Sequence, residues 1–352
     1  MAEKERPQRG LPAIAEARDL RAQRKGEPSF SGKFWLWALI AIASISIFYW
    51  KRTQTENDAQ RARILTKQRV IAQEAGGPYF ALRDEVEAFT MKLAADTGDE
   101  DFVDVDLMTS AQNAKGDAPL FQQPGVYLRV TKPSAISPQK IRESAKDSLK
   151  DAFTACFLRT PHLDAHQGKA CKKSKECEKG EICNELDVCS KPTQPYNLRI
   201  AYRGLFVLDP EWVRDVETAS EELRLRWREE ELTQATANDI PIAVDLVKRA
   251  KYFLVVVDDI PKDLTPMDGG TMEQTVQSEV HQARVGVLDL ERHRTVLRVK
   301  RTVDVDIPIV PGQIEAQRRQ VLNCALAHEI RAAISHLEIS ASSGRRRRLG
   351  ER

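Results

Sequence analysis

The densest run of apolar positions lies near the start of the chain, from Phe34 to Trp50, seventeen residues without a charge. Lys33 and Lys51-Arg52 bracket it, and aromatics crowd both ends: Phe34, Trp35 and Trp37 at one, Phe48, Tyr49 and Trp50 at the other. Such rings favour the bilayer interface, where an apolar body meets a polar rim. As a helix the run spans about 25 Å, a little under the ~30 Å hydrocarbon core, and snorkelling lysines with local thinning cover the difference. The pattern therefore predicts a transmembrane helix, with the lipid bilayer as partner of residues 34–50. Thirty-three residues precede it, long for a signal-peptide head, and Lys51-Arg52 stands where cleavage needs small residues. An uncleaved signal anchor is the expectation; a cleaved signal and a buried helix are the alternatives.

Beyond the anchor the pattern becomes that of a water-soluble body. Residues 51–75 read as a polar juxtamembrane helix, a stalk that leaves room for a homo-oligomer through a coiled coil, and Gly76-Gly77-Pro78 is expected to end it. Leu82, Val86, Phe89 and Leu93 form a helical stripe. Val103 and Val105 alternate within the acidic residues 98–106, predicting a short strand. Residues 109–124 read as a loop and 126–131 as a strand. Ser137-Pro138 is an N-cap with proline at the first helical position, opening one helix with Ile141, Ala145, Leu149 and Cys156 on a face. Tyr196 to Leu208 alternates loosely, predicting a strand. A long helix from Asp209-Pro210 then carries Trp212, Val216, Ala219, Leu223 and Trp227 as its apolar stripe. A helix over about 240–250 leads to Tyr252–Val257, a continuous apolar run expected as the central strand. A hairpin with arms near 280–290 and 295–305 and a last helix over about 313–337 complete the body.

This sequence of elements predicts an α+β class: a single-pass helix followed by an extracytoplasmic mixed sheet with flanking helices. The divisions are a basic tail (1–33), the anchor (34–50), the stalk (51–75), a body in two parts (76–160 and 193–340), an inserted cysteine-rich stretch (161–192) and a basic C-terminal tail (341–352). The formal net charge of +2 over 352 residues gives no overall field for nucleic acid, and none is expected as a partner. Charge does not orient the anchor either, with five Lys/Arg in the twenty residues before it and six in the twenty after.

Cysteine supplies what charge does not. Cys171, Cys177, Cys183 and Cys189 are spaced by five residues each, in a stretch with almost no core-forming side chains. Zinc tetrathiolates use closer pairs around a longer spacer, so a disulfide-stapled module fits better. The segment Cys177-Glu-Lys-Gly-Glu-Ile-Cys183 with Cys171 and Cys189 resembles the cysteine-rich motif of the Dickkopf N-terminal type over about twenty residues, with fewer cysteines than that family carries. The resemblance implies an extracytoplasmic stapled module and carries over no functional residue. Short loops close at the least entropic cost, which favours pairing within the four, in the interleaved form Cys171–Cys183 and Cys177–Cys189. Cys156 and Cys324 remain, each beside the apolar stripe of a helix. They are expected to pair across the core, the alternative being two separate buried thiols.

Other chemistry is sparse. His162 and His166 could share a metal, but Pro161 and Gln167-Gly168 suggest a turn. The carboxylates of 98–106 lack calcium-loop spacing and read as a solvated strand edge. His281, His293, His328 and His336 are expected at the surface or at edges. No nucleophile elbow, phosphate loop, dinucleotide fingerprint or His-Glu-x-x-His run is present. Arg345–Arg348 lies in a Ser/Gly-rich tail, either solvated or drawn to an anionic surface. No catalytic residue, cofactor or metal ligand is assigned. The expected function is a membrane-anchored, non-catalytic binding or scaffolding protein with its N-terminus cytoplasmic and its body periplasmic or extracellular. The competing readings are a hydrolase-like enzyme on the same anchor, and a cytoplasmic body with reduced thiols and zinc.

Overall fold

Tyr252 to Val257 holds six consecutive large apolar or aromatic residues. Such a run is stable only where both faces of a strand are covered. In the computed structural model it is the middle of β6 (Tyr252–Asp259), at the heart of a six-stranded sheet. The structure describes residues 32–96, 98, 100–107, 119–148, 151–158, 169–172, 176–178, 181–183, 188–190, 194–266, 271–303 and 315–349. The chain divides into two units, Met1–Ala59 and Gln60–Arg352.

The described part of the first unit belongs to α1 (Gly32–Ala95). Its large apolar side chains from Phe34 to Trp50 are exposed. The helix is long and apolar enough there to cross a membrane, and none of its apolar window is buried.

The second unit is built on a mixed sheet in the order β1-β8-β7-β6-β2-β5. β2 (Gly125–Thr131) runs parallel to β6 on one side and to β5 (Tyr196–Asn197) on the other. β6, β7 (His281–Asp289), β8 (Arg294–Val303) and β1 (Phe102–Val103) are antiparallel in turn. Strand alternation sorts side chains to two layers. Val126, Leu128 and Val130 of β2, with Phe253, Val255 and Val257 of β6, join a core with α1 from Ile64 to Leu93. That core also takes in α2 (Pro138–Asp147), α4 (Arg199–Gly204), α5 (Pro210–Thr218), α6 (Glu222–Ala237) and α7 (Asp239–Arg249). Tyr127, Tyr252, Leu254 and Val256 face the other way. They meet α3 (Ala152–Leu158) through Phe153 and Phe157, and α9 (Glu315–Leu349) through Leu322, Leu326 and Ile330. α8 (Met272–Gln277) opens with a capping box between Thr271 and Gln274.

Several expectations are corrected. α1 does not stop at Gly76-Gly77-Pro78 but runs on to Ala95. Ala75, Tyr79 and Leu82 are buried in the same core as Ile64 and Ile71, and that packing outweighs the local cost of a proline and two glycines. Tyr196–Leu208 is not a strand: after two residues of β5 it turns into α4 and a 3₁₀ turn, Phe206–Leu208. Its buried residues Leu198, Ala201, Tyr202 and Leu205 are spaced i, i+3, i+4, i+7, a helical stripe read as alternation. The helix after Ser137 ends at Asp147, and a separate α3 carries Cys156. The helix after Asp209 is likewise two helices, broken after Thr218, and α6 buries Leu225, Leu232 and Ala235 rather than Leu223 and Trp227. β1 is only two residues long, and residues 105–107 turn helically. The last helix extends to Leu349, so most of the expected tail is helical.

Candidate functional site

A charged residue in the middle of a buried strand must find partners or cost several kcal/mol. Arg129 is such a residue: its side chain is only 2 % exposed, on the β2 face turned towards α3 and α9. Its Nε and Nη2 donate to the two oxygens of Asp258, at 2.7 and 3.0 Å. Its Nη1 donates to Asp151 Oδ2 at 2.7 Å and to Asn323 Oδ1 at 2.8 Å. Parallel register brings this about, because Thr131 of β2 lies beside Asp258 of β6. Asp151 comes from the residue before α3, and Asn323 from α9 beside Cys324. Tyr127, two residues before Arg129 and so on its face, donates to the same Asp151 oxygen at 2.9 Å.

His281 closes the cluster from the start of β7. Its Nε2 lies 3.0 Å from Asp258 Oδ1 and its Nδ1 2.7 Å from the carbonyl oxygen of Glu279. The ring is fully buried, which corrects the expectation of a surface or edge histidine. Burial pushes the Asp258 carboxyl up, but Arg129 and His281 outweigh it and hold the carboxyl well below the usual carboxylate range. Burial lowers the Arg129 pKa, and Asp258 and Asp151 more than restore it. Burial and the Asp151 charge push the Tyr127 hydroxyl well up. The sequence did not single out this constellation. Its signal was present all the same: Arg129 inside Val126–Thr131, and Asp258-Asp259 closing the apolar run of β6.

Chemically the cluster is a clamp. Four guanidinium hydrogen bonds and both ring nitrogens of His281 are engaged within the protein. The clamp joins β2, β6, β7, the start of α3 and α9. A second ionic group lies in the opposite layer. Arg142 of α2 donates twice to Glu87 of α1, at 2.8 and 3.1 Å, and Tyr202 of α4 donates to Glu87 at 3.0 Å. Close by, Asp209 accepts from Tyr79 at 3.4 Å. Burial pushes the Asp209 carboxyl up, against Lys146, Arg83 and Arg142.

All six cysteines are in disulfides: Cys171–Cys183, Cys177–Cys189 and Cys156–Cys324, with Cα atoms 5.8, 5.3 and 5.2 Å apart. In the small module β3 (Ile182–Cys183) and β4 (Cys189–Ser190) pair antiparallel. Ala170 bridges to Val188. The sulfurs of Cys171, Cys177 and Cys189 lie within 4.8 Å of one another. A metal would need thiolates there, and each sulfur is bonded to another. The third disulfide ties α3 to α9 over the Arg129 cluster.

The remaining candidates separate. His162 and His166 lie outside the described residues. Asp101 pairs with Arg301, Asp104 with Arg294, and Asp106 with Arg292 and Arg294, so arginines neutralise the acidic edge. His293, at the hairpin turn with φ 51°, is exposed and lies 2.8 Å from Glu85. His328 is exposed on α9. The side chains of His336 and Arg345–Arg348 are outside the described residues. No family model, no curated protein and no solved structure matches the chain.

Proposed function

We propose that this protein is held in a membrane by Phe34–Trp50 and displays residues 51–352 in an oxidising compartment, as a non-catalytic binding or scaffolding protein. The observation that carries the reading is the closure of the Arg129 cluster. Within this cluster of the described residues the chemically capable groups, Asp258, His281, Arg129 and Asp151, are buried and paired with one another. A hydrolytic site needs a histidine with one nitrogen turned towards a nucleophile or substrate. His281 instead faces Asp258 and a backbone carbonyl. Built this way, the polar interior holds a shape and leaves recognition to the surface.

The disulfides support an oxidising compartment, since thiols of the cytosol are kept reduced. The exposed apolar stretch of α1 within the first unit supports the anchor. An N-terminus in the cytoplasm and a body outside it satisfy both. The Dickkopf-type resemblance is consistent with this placement and adds nothing about a ligand. A reporter active only in the cytoplasm, fused after Arg352, is expected to be silent, while the same reporter before Met1 is active. Activity after Arg352 would overturn the topology. The enzyme alternative is tested by conversion of ester, peptide or glycoside probes by the purified full chain; turnover that disappears in His281→Asn would overturn the non-catalytic reading.

A further inference from the structure

Two large apolar side chains stand on the outside of α6. Leu223 is 79 % exposed and Trp227 58 %, and a spacing of four puts them on one helix face. Around them every arginine of the helix is paired, while exposed Glu230, three residues beyond Trp227, accepts from the neutral Gln234. Arg224 pairs with Asp215, Arg226 with Glu222, and Arg228 with Asp215 and Glu231. The Arg228 guanidinium also lies over the Trp227 ring, 4.7 Å from its centroid. The result is an aromatic and aliphatic spot with no excess of positive charge around it.

Its place in the second unit narrows what can cover it. Glu229, two residues beyond Trp227, accepts from Gln60 at 2.9 Å and pairs with Lys67 at 3.7 Å. Arg61 donates to the carbonyl of Ala219, just before α6, at 2.6 Å. Gln60 is ten residues from Trp50, and ten residues reach at most about 35 Å even when fully extended. Covalent connection alone therefore sets an upper limit on the distance from Trp50 to Gln60, whatever the disposition of the two units.

We propose that Leu223 and Trp227 dock into the headgroup–acyl boundary of the bilayer that holds Phe34–Trp50, forming a second, peripheral membrane contact. The proposal rests on the anchor reading above. Two side chains are far too small an area for a specific protein interface, which buries roughly 1,200 Å² or more. A tethered membrane contact needs no such area, because the anchor has already brought the surface within reach. Tryptophan suits that boundary. With the arginines around the spot already paired, insertion is led by apolar burial and not by attraction to anionic lipid.

The test uses the full chain in phosphatidylcholine vesicles whose acyl chains carry bromine close to the headgroup. Subtracting the emission of Trp227→Phe from that of the wild type isolates Trp227 from Trp35, Trp37, Trp50 and Trp212. The expected result is that this difference emission is quenched, remains quenched at roughly 1 M salt, where surface charge is screened, and escapes quenching in Leu223→Glu. If the emission of Trp227→Phe is quenched through its anchor tryptophans while the Trp227 component is not, the docking is overturned and the anchor stands. If neither is quenched, the anchor reading fails and this proposal with it. A Trp227 shielded from an aqueous quencher yet untouched by lipid bromine would place it against a second copy, and would also overturn the docking.

Discussion

Arg129 pairs with two carboxylates, Asp258 fully buried and Asp151 largely so, and its removal would leave both without that counter-charge. Breaking a buried pair from one side costs about 3–5 kcal/mol. Arg129→Leu is therefore expected to lower the urea midpoint of the solubilised protein by that equivalent, far more than Arg226→Leu on the exposed face of α6. The two perturbed aspartates differ in sign. Asp258 is held below the usual range, so its stabilisation is complete above the unfolded value near ~3.9 and fades as pH falls through the folded one. Asp209 is pushed up. Its ionised form costs stability at neutral pH, and that cost disappears as pH falls from the folded value to the unfolded one. Asp258→Asn should therefore lower the neutral-pH midpoint, and Asp209→Asn should leave it unchanged or raise it. Equal losses in the two variants would contradict this account.

At the scale of elements, close approach decides where α1 lies against the sheet. A Cβ on Gly286 of β7 would stand 2.9 Å from Leu93 Cδ2 and from Phe89 Cε1 and Cζ, and Phe89 packs edge-on against Phe253 of β6. Gly286→Ala is expected to cost about 1–3 kcal/mol as overpacking, with part recovered when Phe89→Leu is added; a neutral Gly286→Ala would show that α1 can lift without penalty. Such close contacts are not visible in a sequence, and the unread elements follow from that. The central strand, the hairpin and the Leu82–Leu93 stripe were legible because each carries one unbroken period. α1 overran Gly76-Gly77-Pro78 because buried neighbours on both sides of the break share a core. α4 resembles a strand in sequence because six residues hold too few turns to separate the two periods. The Arg129 cluster was legible only in part. Arg129 and Asp258 stand out inside apolar runs, but His281, Asp151 and Asn323 meet them through sheet register and the docking of α9, which spacing does not encode. The disulfide pairs could be argued from loop length and from helix faces, both of which are sequence properties. The cysteine module is expected to be separable from the body on the same grounds. Replacing Gln167–Lys191 with a short Gly/Ser linker should keep cooperative unfolding and move the melting temperature by only a few degrees, whereas loss of cooperativity would make the module integral.

For the molecule as a whole, the long disulfide connects fold and compartment. Cys156 and Cys324 are 168 residues apart, so their link closes a loop that contains the cysteine module, β5 to β8 and the helices between them. It fastens α9 to α3, and these two helices cover one face of the sheet. α9 also brings Asn323 to Arg129. In a chain-entropy treatment a loop of this length is stabilised by about 5 kcal/mol. Native domains have only about 5–15 kcal/mol in total, so the reduced body would lose between about a third of its margin and all of it. A fold that draws this much stability from one bond between distant helices is suited to an oxidising compartment, where the bond persists. Substituting both cysteines, Cys156→Ala with Cys324→Ala, should lower the unfolding free energy by about that amount. It should also loosen α9, seen as faster hydrogen exchange over Leu322–Ile334, while exchange in β6 changes only through the loss of global stability. Unchanged protection of α9 would mean that its apolar contacts with Phe153, Phe157 and the sheet hold it unaided, and the argument from this disulfide to the compartment would fall.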